Sequence, residues 1–152
     1  MKYIFLDIDG VLNCGTGVYS FLHKDKVALL TKIVKSTNAQ IILISSWKDE
    51  WFKTTPNLNG AHAKVLNSVF NEFGIEIADK TNDNNSWKRG KGIIDYINNH
   101  PAESWIVLDD DIFPDYQECG CMEHLIKTSF SEGLTKDLSE KAITMLNNIQ
   151  TK

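Results

Sequence analysis

Met1-Lys2-Tyr3-Ile4-Phe5-Leu6-Asp7-Ile8-Asp9-Gly10 decides the reading of this chain. A short apolar run ends abruptly in carboxylates, the pattern of a buried strand with a polar edge. Asp7 and Asp9 are two residues apart, so on an extended chain both carboxylates face one side. Two like charges this close raise at least one pKa unless a cation sits between them. A hard divalent metal with oxygen ligands is the natural solution. One carboxylate could then attack while the other handles protons. Gly10 lets the backbone turn sharply straight afterwards. Taken alone, the same four residues are also compatible with a capped turn.

Outward from this stretch, two periods alternate. Val27, Leu30, Ile33 and Val34 recur at helical spacing. A second apolar run over 41–44 ends in Ser45-Ser46. The helical period returns at Val65, Val69, Phe70 and Phe73, with Gly74 as its stop. Residues 75–78 read as a third strand. Ile93, Ile94 and Ile97 mark a helix that must finish before Pro101. Residues 105–108 form a fourth strand ending in acids, and 124–128 a fifth. Leu138, Ala142, Met145, Leu146 and Ile149 give the last helix, with Asp137 and Glu140 spaced as a capping box. Strands alternating with helices predict an α/β, doubly wound (Rossmann-like) parallel sheet of about five strands, with helices on both faces. The continuous apolar strands agree with burial on both sides.

The chain has 152 residues, the size of one domain, so 1–152 reads as a single unit. A net charge of −4 is the opposite of what a chain gripping nucleic acid along its surface usually carries, so an anionic ligand must be held locally. No apolar run approaches the ~20 residues that span a membrane. The acids at Asp7 and Asp9 interrupt any signal-peptide pattern. Cys14, Cys119 and Cys121 are odd in number and lack a CxxC pair, which argues against a disulfide framework or zinc site. A cytoplasmic protein is expected.

In a doubly wound sheet, ligands bind beyond the carboxyl ends of the strands. Asp7, Asp9, Ser45, Ser46, Asp109 and Asp110 all lie at or just past those ends. Asp109-Asp110-Asp111, with Asp115 beyond, is either a solvated acidic loop or a metal-binding group, since burying several carboxylates is costly without a cation or a proton. Ser45 and Ser46 could donate to a phosphate or simply satisfy their own turn. Lys88, Arg89 and Lys91 cluster before the Ile93 helix, and Arg89 is the only arginine. A guanidinium forks onto phosphate oxygens, and a helix start adds free N–H groups. A solvated basic helix start is the plainer alternative.

Together these pieces resemble the haloacid-dehalogenase (HAD) superfamily. Asp7-Ile8-Asp9-Gly10-Val11-Leu12 looks like its first motif, with the nucleophile followed by the acid/base. Ser45, with Ser46 as a second contact, looks like the second. Arg89, or else Lys88 or Lys91, looks like the third. Asp109 and Asp110 look like the fourth, which holds Mg²⁺, and Asp115 fits the spaced second acid. The resemblance implies metal ligation by Asp7, Asp9, Asp109 and Asp110, catalysis by Asp7 and Asp9, and substrate binding by Ser45, Ser46, Arg89 and Lys91.

A narrower run is similar to small HAD domains associated with "Swiss Army Knife" RNA-repair proteins. It comprises Phe5 through Asn13, Ile44-Ser45-Ser46-Trp47-Lys48, Arg89-Gly90, Leu108 through Asp111 and Gly133-Leu134-Thr135. In those domains a Trp-Arg pair commonly follows the serines. Trp47-Lys48 keeps the charge and gives up the fork.

The implied activity is Mg²⁺-dependent phosphohydrolysis through a phospho-aspartate, on a nucleotide or nucleic-acid end. Phosphatase action on small metabolites, or a catalytically weak binding module working with a partner, stay open as alternatives. There is little room for a cap domain, so the site is expected to be capless or nearly so. The loop 13–22 and the segment 51–60 are its candidate walls. Trp47, Trp51, Phe52 and Trp87 either stack on a nucleobase or pack the core.

Overall fold

The computed structural model describes residues 1–15, 21–83 and 87–148. Its elements run β1 (Lys2–Leu6), α1 (Lys24–Thr37), β2 (Gln40–Leu43), α2 (Ala61–Glu72), β3 (Ile77–Lys80), α3 (Arg89–Asn99), β4 (Ser104–Asp109), β5 (Leu125–Lys127) and α4 (Lys136–Asn147). The strands form one sheet in the order β3-β2-β1-β4-β5, and every pairing is parallel. The predicted α/β class and element order are those observed. The order reverses between β1 and β4, which makes the crevice between their carboxyl ends the switch point of the sheet.

Alternation along each strand divides the core into two layers. Ile4, Leu6, Ile41, Leu43, Ile106 and Leu108 face α1, α2 and α4. Tyr3, Phe5, Ile42, Ile44 and Val107 face Ile93 of α3 together with Tyr116 and Cys121 from the β4–β5 connection. Ile4, Phe5 and Leu6 are wholly buried, and each such side chain contributes roughly 1.5–3 kcal/mol. β1 lies at the centre of the sheet, paired on both sides, and its end carries Asp7.

Several local expectations are corrected. The third strand starts two residues later than predicted. Gly74 adopts a left-handed φ of 71° and the Ile75 N–H returns to the Phe70 carbonyl at 3.1 Å, so Ile75 still belongs to the helix ending. On α2 the inward face is Ala63, Leu66 and Phe70, while Val65 is exposed. The cap of α4 is Thr135, whose Oγ1 accepts from the Leu138 N–H at 3.2 Å, in place of an Asp137–Glu140 box. Ile149 and part of the loop 13–22 lie outside the described residues.

Among the described residues no cap domain is present. The β2–α2 connection holds only 3₁₀ turns over Ser46–Glu50 and Pro56–Leu58. The segment 51–60 contributes to a groove of about 470 Å³ with α2 and the start of β3, and none of the site acids lines it. No described helix is long and apolar enough to cross a membrane.

Asp115 positions α3. Its Oδ1 accepts from the Gly90 N–H at 2.9 Å and its Oδ2 from the Lys91 N–H at 2.8 Å, so it satisfies two amides that a helix start leaves open. It is a helix anchor, and the expectation that it serves as a further metal acid is corrected. Asp115→Ala should cost about 1–2 kcal/mol in urea unfolding, and Asp115→Asn less, because one acceptor oxygen remains. Equal stability of Asp115→Ala and wild type would contradict this role.

Candidate active site

Hydrogen bonding continues past the ends of β1 and β4. The Asp7 N–H donates to the Leu108 carbonyl at 2.9 Å and the Thr128 N–H to the Asp109 carbonyl at 3.0 Å. Phe5 and Val107 face α3, and alternation sends Asp7 and Asp109 to the same side. Asp110 follows at the rim. One oxygen each from Asp7, Asp109 and Asp110 lies within 4.8 Å of the others. Asp7 and Asp109 are buried, and Asp110 is half-buried.

Gly10 makes room for this convergence. Its φ is 82°, and any Cβ there would overlap the Asp110 carboxylate. The turn is held by Thr128, whose Oγ1 donates to the Gly10 carbonyl at 2.7 Å.

The positive charge comes from Arg89, the first residue of α3. Its Nη1 lies 2.9 Å from Asp109 Oδ2 and 3.4 Å from Asp7 Oδ1. The guanidinium rests on the Phe113 ring, 3.9 Å from its centroid. Asp109 is the most tightly held of the three acids. Tyr116, fully buried, donates its hydroxyl to Oδ2 at 2.6 Å, and the Asp111 N–H donates to Oδ1 at 3.0 Å.

One arginine does not balance three acids. Burial first, then the Asp109 charge, holds the Asp7 carboxyl well above the ordinary range, with Arg89 opposing. Burial and Asp109 also raise Asp110. Burial lowers the pKa of Arg89, but Asp7 and Asp109 outweigh it and keep the guanidinium charged. A buried set of hard oxygen donors with surplus negative charge suits a divalent cation such as Mg²⁺. Asp7, Asp109 and Asp110 are the side chains that would hold it.

Asp9 is placed differently from the expectation that its carboxylate joins the metal set. Its Oδ1 accepts from Asn13 Nδ2 at 2.9 Å and its Oδ2 from Trp47 Nε1 at 3.2 Å. Asn13 also accepts from the Gly10 N–H at 3.0 Å, which ties both ends of the turn together.

Ser45 follows Ile44, whose N–H bonds the Leu6 carbonyl, so it sits beside Asp7 along the sheet edge. It is buried, and its Oγ accepts from the Trp47 N–H at 3.2 Å. Ser46 is exposed and shares a cavity with Arg89. Lys91 is not brought to the site. Its ammonium pairs with Asp95 at 2.7 Å, one turn along the exposed side of α3, and the expectation of a substrate contact is corrected. Lys88 is the residue before α3 and is exposed.

Lys48 is buried. Its ammonium is paired with Asp83, lies 3.3 Å from Thr81 Oγ1, and donates to the Ile44 carbonyl at 3.5 Å. Burial pulls its pKa down and Asp83 opposes this. Trp47 and Trp51 belong to the core, at 5% exposure each.

Four participants escaped the sequence reading: Asn13, Trp47 as a donor to Asp9, Phe113 and Tyr116. Asn13 lies four residues from Asp9 within the same turn and could have been suspected on that ground. Nothing in the local pattern of Phe113 or Tyr116 marks them.

Residues 3–138 match the family described as the HAD domain in Swiss Army Knife RNA repair proteins. The chain belongs to that family. HAD domains are a phosphohydrolase class, and this site carries the acids such chemistry uses. No curated protein and no solved structure matches the chain.

Proposed function

We propose that this protein is a Mg²⁺-dependent phosphohydrolase that works through a phospho-aspartate on Asp7, acting on nucleotides or nucleic-acid terminal phosphates. The observation that carries the reading is the buried convergence of Asp7, Asp109 and Asp110 beneath Arg89. The nucleotide or nucleic-acid substrate is supported by the family's place in RNA repair proteins and by the lack of a cap among the described residues.

Asp7 attacks phosphorus, and the bond to the leaving oxygen breaks as that oxygen takes a proton from Asp9. Asp9 then removes a proton from water, which attacks the phosphorus and releases Asp7 as a carboxylate. Arg89 offsets the charge of the transferring group, and the Ser45–Ser46 turn borders it. A bound Mg²⁺ supplies further charge neutralisation and orients the phosphate. Most of the protein's contribution is thus positioning and electrostatics. Asn13 and Trp47 hold Asp9 for its two proton transfers. The three thiols are free, which suits a reducing compartment such as the cytoplasm.

The test is phosphate release from p-nitrophenyl phosphate, nucleotides, sugar phosphates and phosphorylated oligonucleotides, with Mg²⁺ or EDTA. Wild type should release phosphate only with Mg²⁺ and favour nucleotides or oligonucleotide ends. Asp7→Asn should fall to background. Full activity in Asp7→Asn would overturn the nucleophile, and turnover of sugar phosphates alone would overturn the substrate class.

A second variant probes the hold on Asp9. Trp47→Phe keeps a ring and removes the donor. Turnover of a nucleotide, whose alkoxide needs a proton to leave, should drop roughly tenfold or more. p-Nitrophenyl phosphate, whose leaving group departs unaided, should be much less affected. An equal loss on both would show that Trp47 has only a packing role.

A further inference from the structure

Three of the four tryptophans have a structural place. Trp47 and Trp51 are buried, and Trp105 stacks on His124 with ring centroids 3.6 Å apart. Trp87 is different. It is 75% exposed, two residues before Arg89. A single exposed aromatic needs no explanation of its own, so the weight falls on where this one sits.

Trp87 also borders the chemistry. A cavity of about 280 Å³ is lined by Ile44, Ser46, Asp49, Trp87, Arg89 and Phe113, with the Lys48–Asp83 pair completing it. Arg89 belongs both to this cavity and to the cluster around Asp7. The cavity thus adjoins the Asp7 cluster through Arg89, within reach of the remainder of a substrate whose phosphate sits on Asp7. Phe113 backs the indole, with centroids 6.1 Å apart and planes tilted by 35°, and the same Phe113 ring supports the guanidinium. The indole is thereby referenced to the phosphate-binding arginine.

We infer that this cavity is a leaving-group subsite that takes a nucleobase, stacked on Trp87. The volume lies just under the roughly 300 Å³ at which sites for whole drug-sized ligands begin, which suits a fragment the size of a base. The mixture of apolar wall and carboxylate also suits a base. Stacking uses the ring face, and the exposed Asp49 offers an acceptor to an exocyclic amine at the edge. A sugar without a base would leave the aromatic wall unused. The inference rests on the phosphohydrolase reading for its phosphate position and adds the element that distinguishes a nucleotide from any other phosphate ester.

The test compares adenosine 5′- and 3′-monophosphate with ribose 5-phosphate, in two arms. In the turnover arm, the ratio of kcat/KM for the better nucleotide over ribose 5-phosphate is measured for wild type, Trp87→Phe and Trp87→Ala. Trp87→Ala should lower that ratio about tenfold, chiefly through KM, and Trp87→Phe should retain most of it. In the binding arm, the same ligands are titrated calorimetrically into Asp7→Asn and into Asp7→Asn carrying Trp87→Ala. The nucleotide should bind about tenfold more tightly than ribose 5-phosphate, and the added substitution should erase the difference. A ratio unchanged by Trp87→Ala, or equal binding of nucleotide and ribose 5-phosphate, overturns the subsite. The binding arm decides the matter even if no ester is turned over, so failure of the subsite and failure of the catalytic reading are separable.

Discussion

Three carboxylates brought together under one guanidinium are the constraint on which the rest of this structure depends. Asp7 and Asp109 end neighbouring parallel strands whose interiors are wholly buried, so neither can retreat into solvent without breaking the sheet. Asp110 is admitted at the rim because residue 10 has no side chain. Burying charge in this way is costly unless a partner offsets it. Arg89 offsets part, and protons or a cation must offset the rest. Much of the surrounding architecture serves this arrangement: Asp115 fixes the start of α3, Phe113 supports the guanidinium, and Tyr116 locks Asp109.

A second hydrogen-bonded group sits beside the first and is separate from it. Asp9 is held by Asn13 and Trp47 and does not join the three converging acids, although alternation alone would aim it with Asp7. The two carboxylates of one short motif thus have different surroundings. Asp7 is crowded by acids and has a raised pKa, while Asp9 accepts from two neutral donors. The raised pKa works against an attacking carboxylate, and a cation held by Asp7, Asp109 and Asp110 would offset it. Lys48 and Asp83 form a third group, a buried pair in the wall of the Trp87 cavity.

The sheet was legible because its signal is coarse. Apolar runs ending in acids or serines mark parallel strand ends wherever the residues between them can form crossover helices, and all five strands lie where such runs predict them to within two residues. The acids at those ends were legible for the same reason. What escaped depended on contacts between distant residues. Lys91 and Arg89 are two positions apart and look alike in sequence, but a helix turns two successive positions to different sides, and only Arg89 faces the acids. Asp115 has the spacing of a metal acid, yet the amides of α3 reach it first. Trp47 reads either as a base-stacking ring or as a core aromatic; it packs the core, at 5% exposure, while its indole N–H still reaches Asp9. Thr135 outcompetes the Asp137 box because the backbone is still extended at 135, where a capping hydroxyl can turn back to the first amides.

The most direct measurement is to catch the covalent intermediate. The protein would be mixed with Mg²⁺ and a nucleotide substrate, quenched in acid during turnover, and treated with borohydride, which reduces an aspartyl phosphate to homoserine. Peptide mass spectrometry would then locate the change. Homoserine at position 7, dependent on substrate and Mg²⁺, is the expected result. Turnover without reduction at position 7, or reduction at Asp9 in its place, would contradict the account.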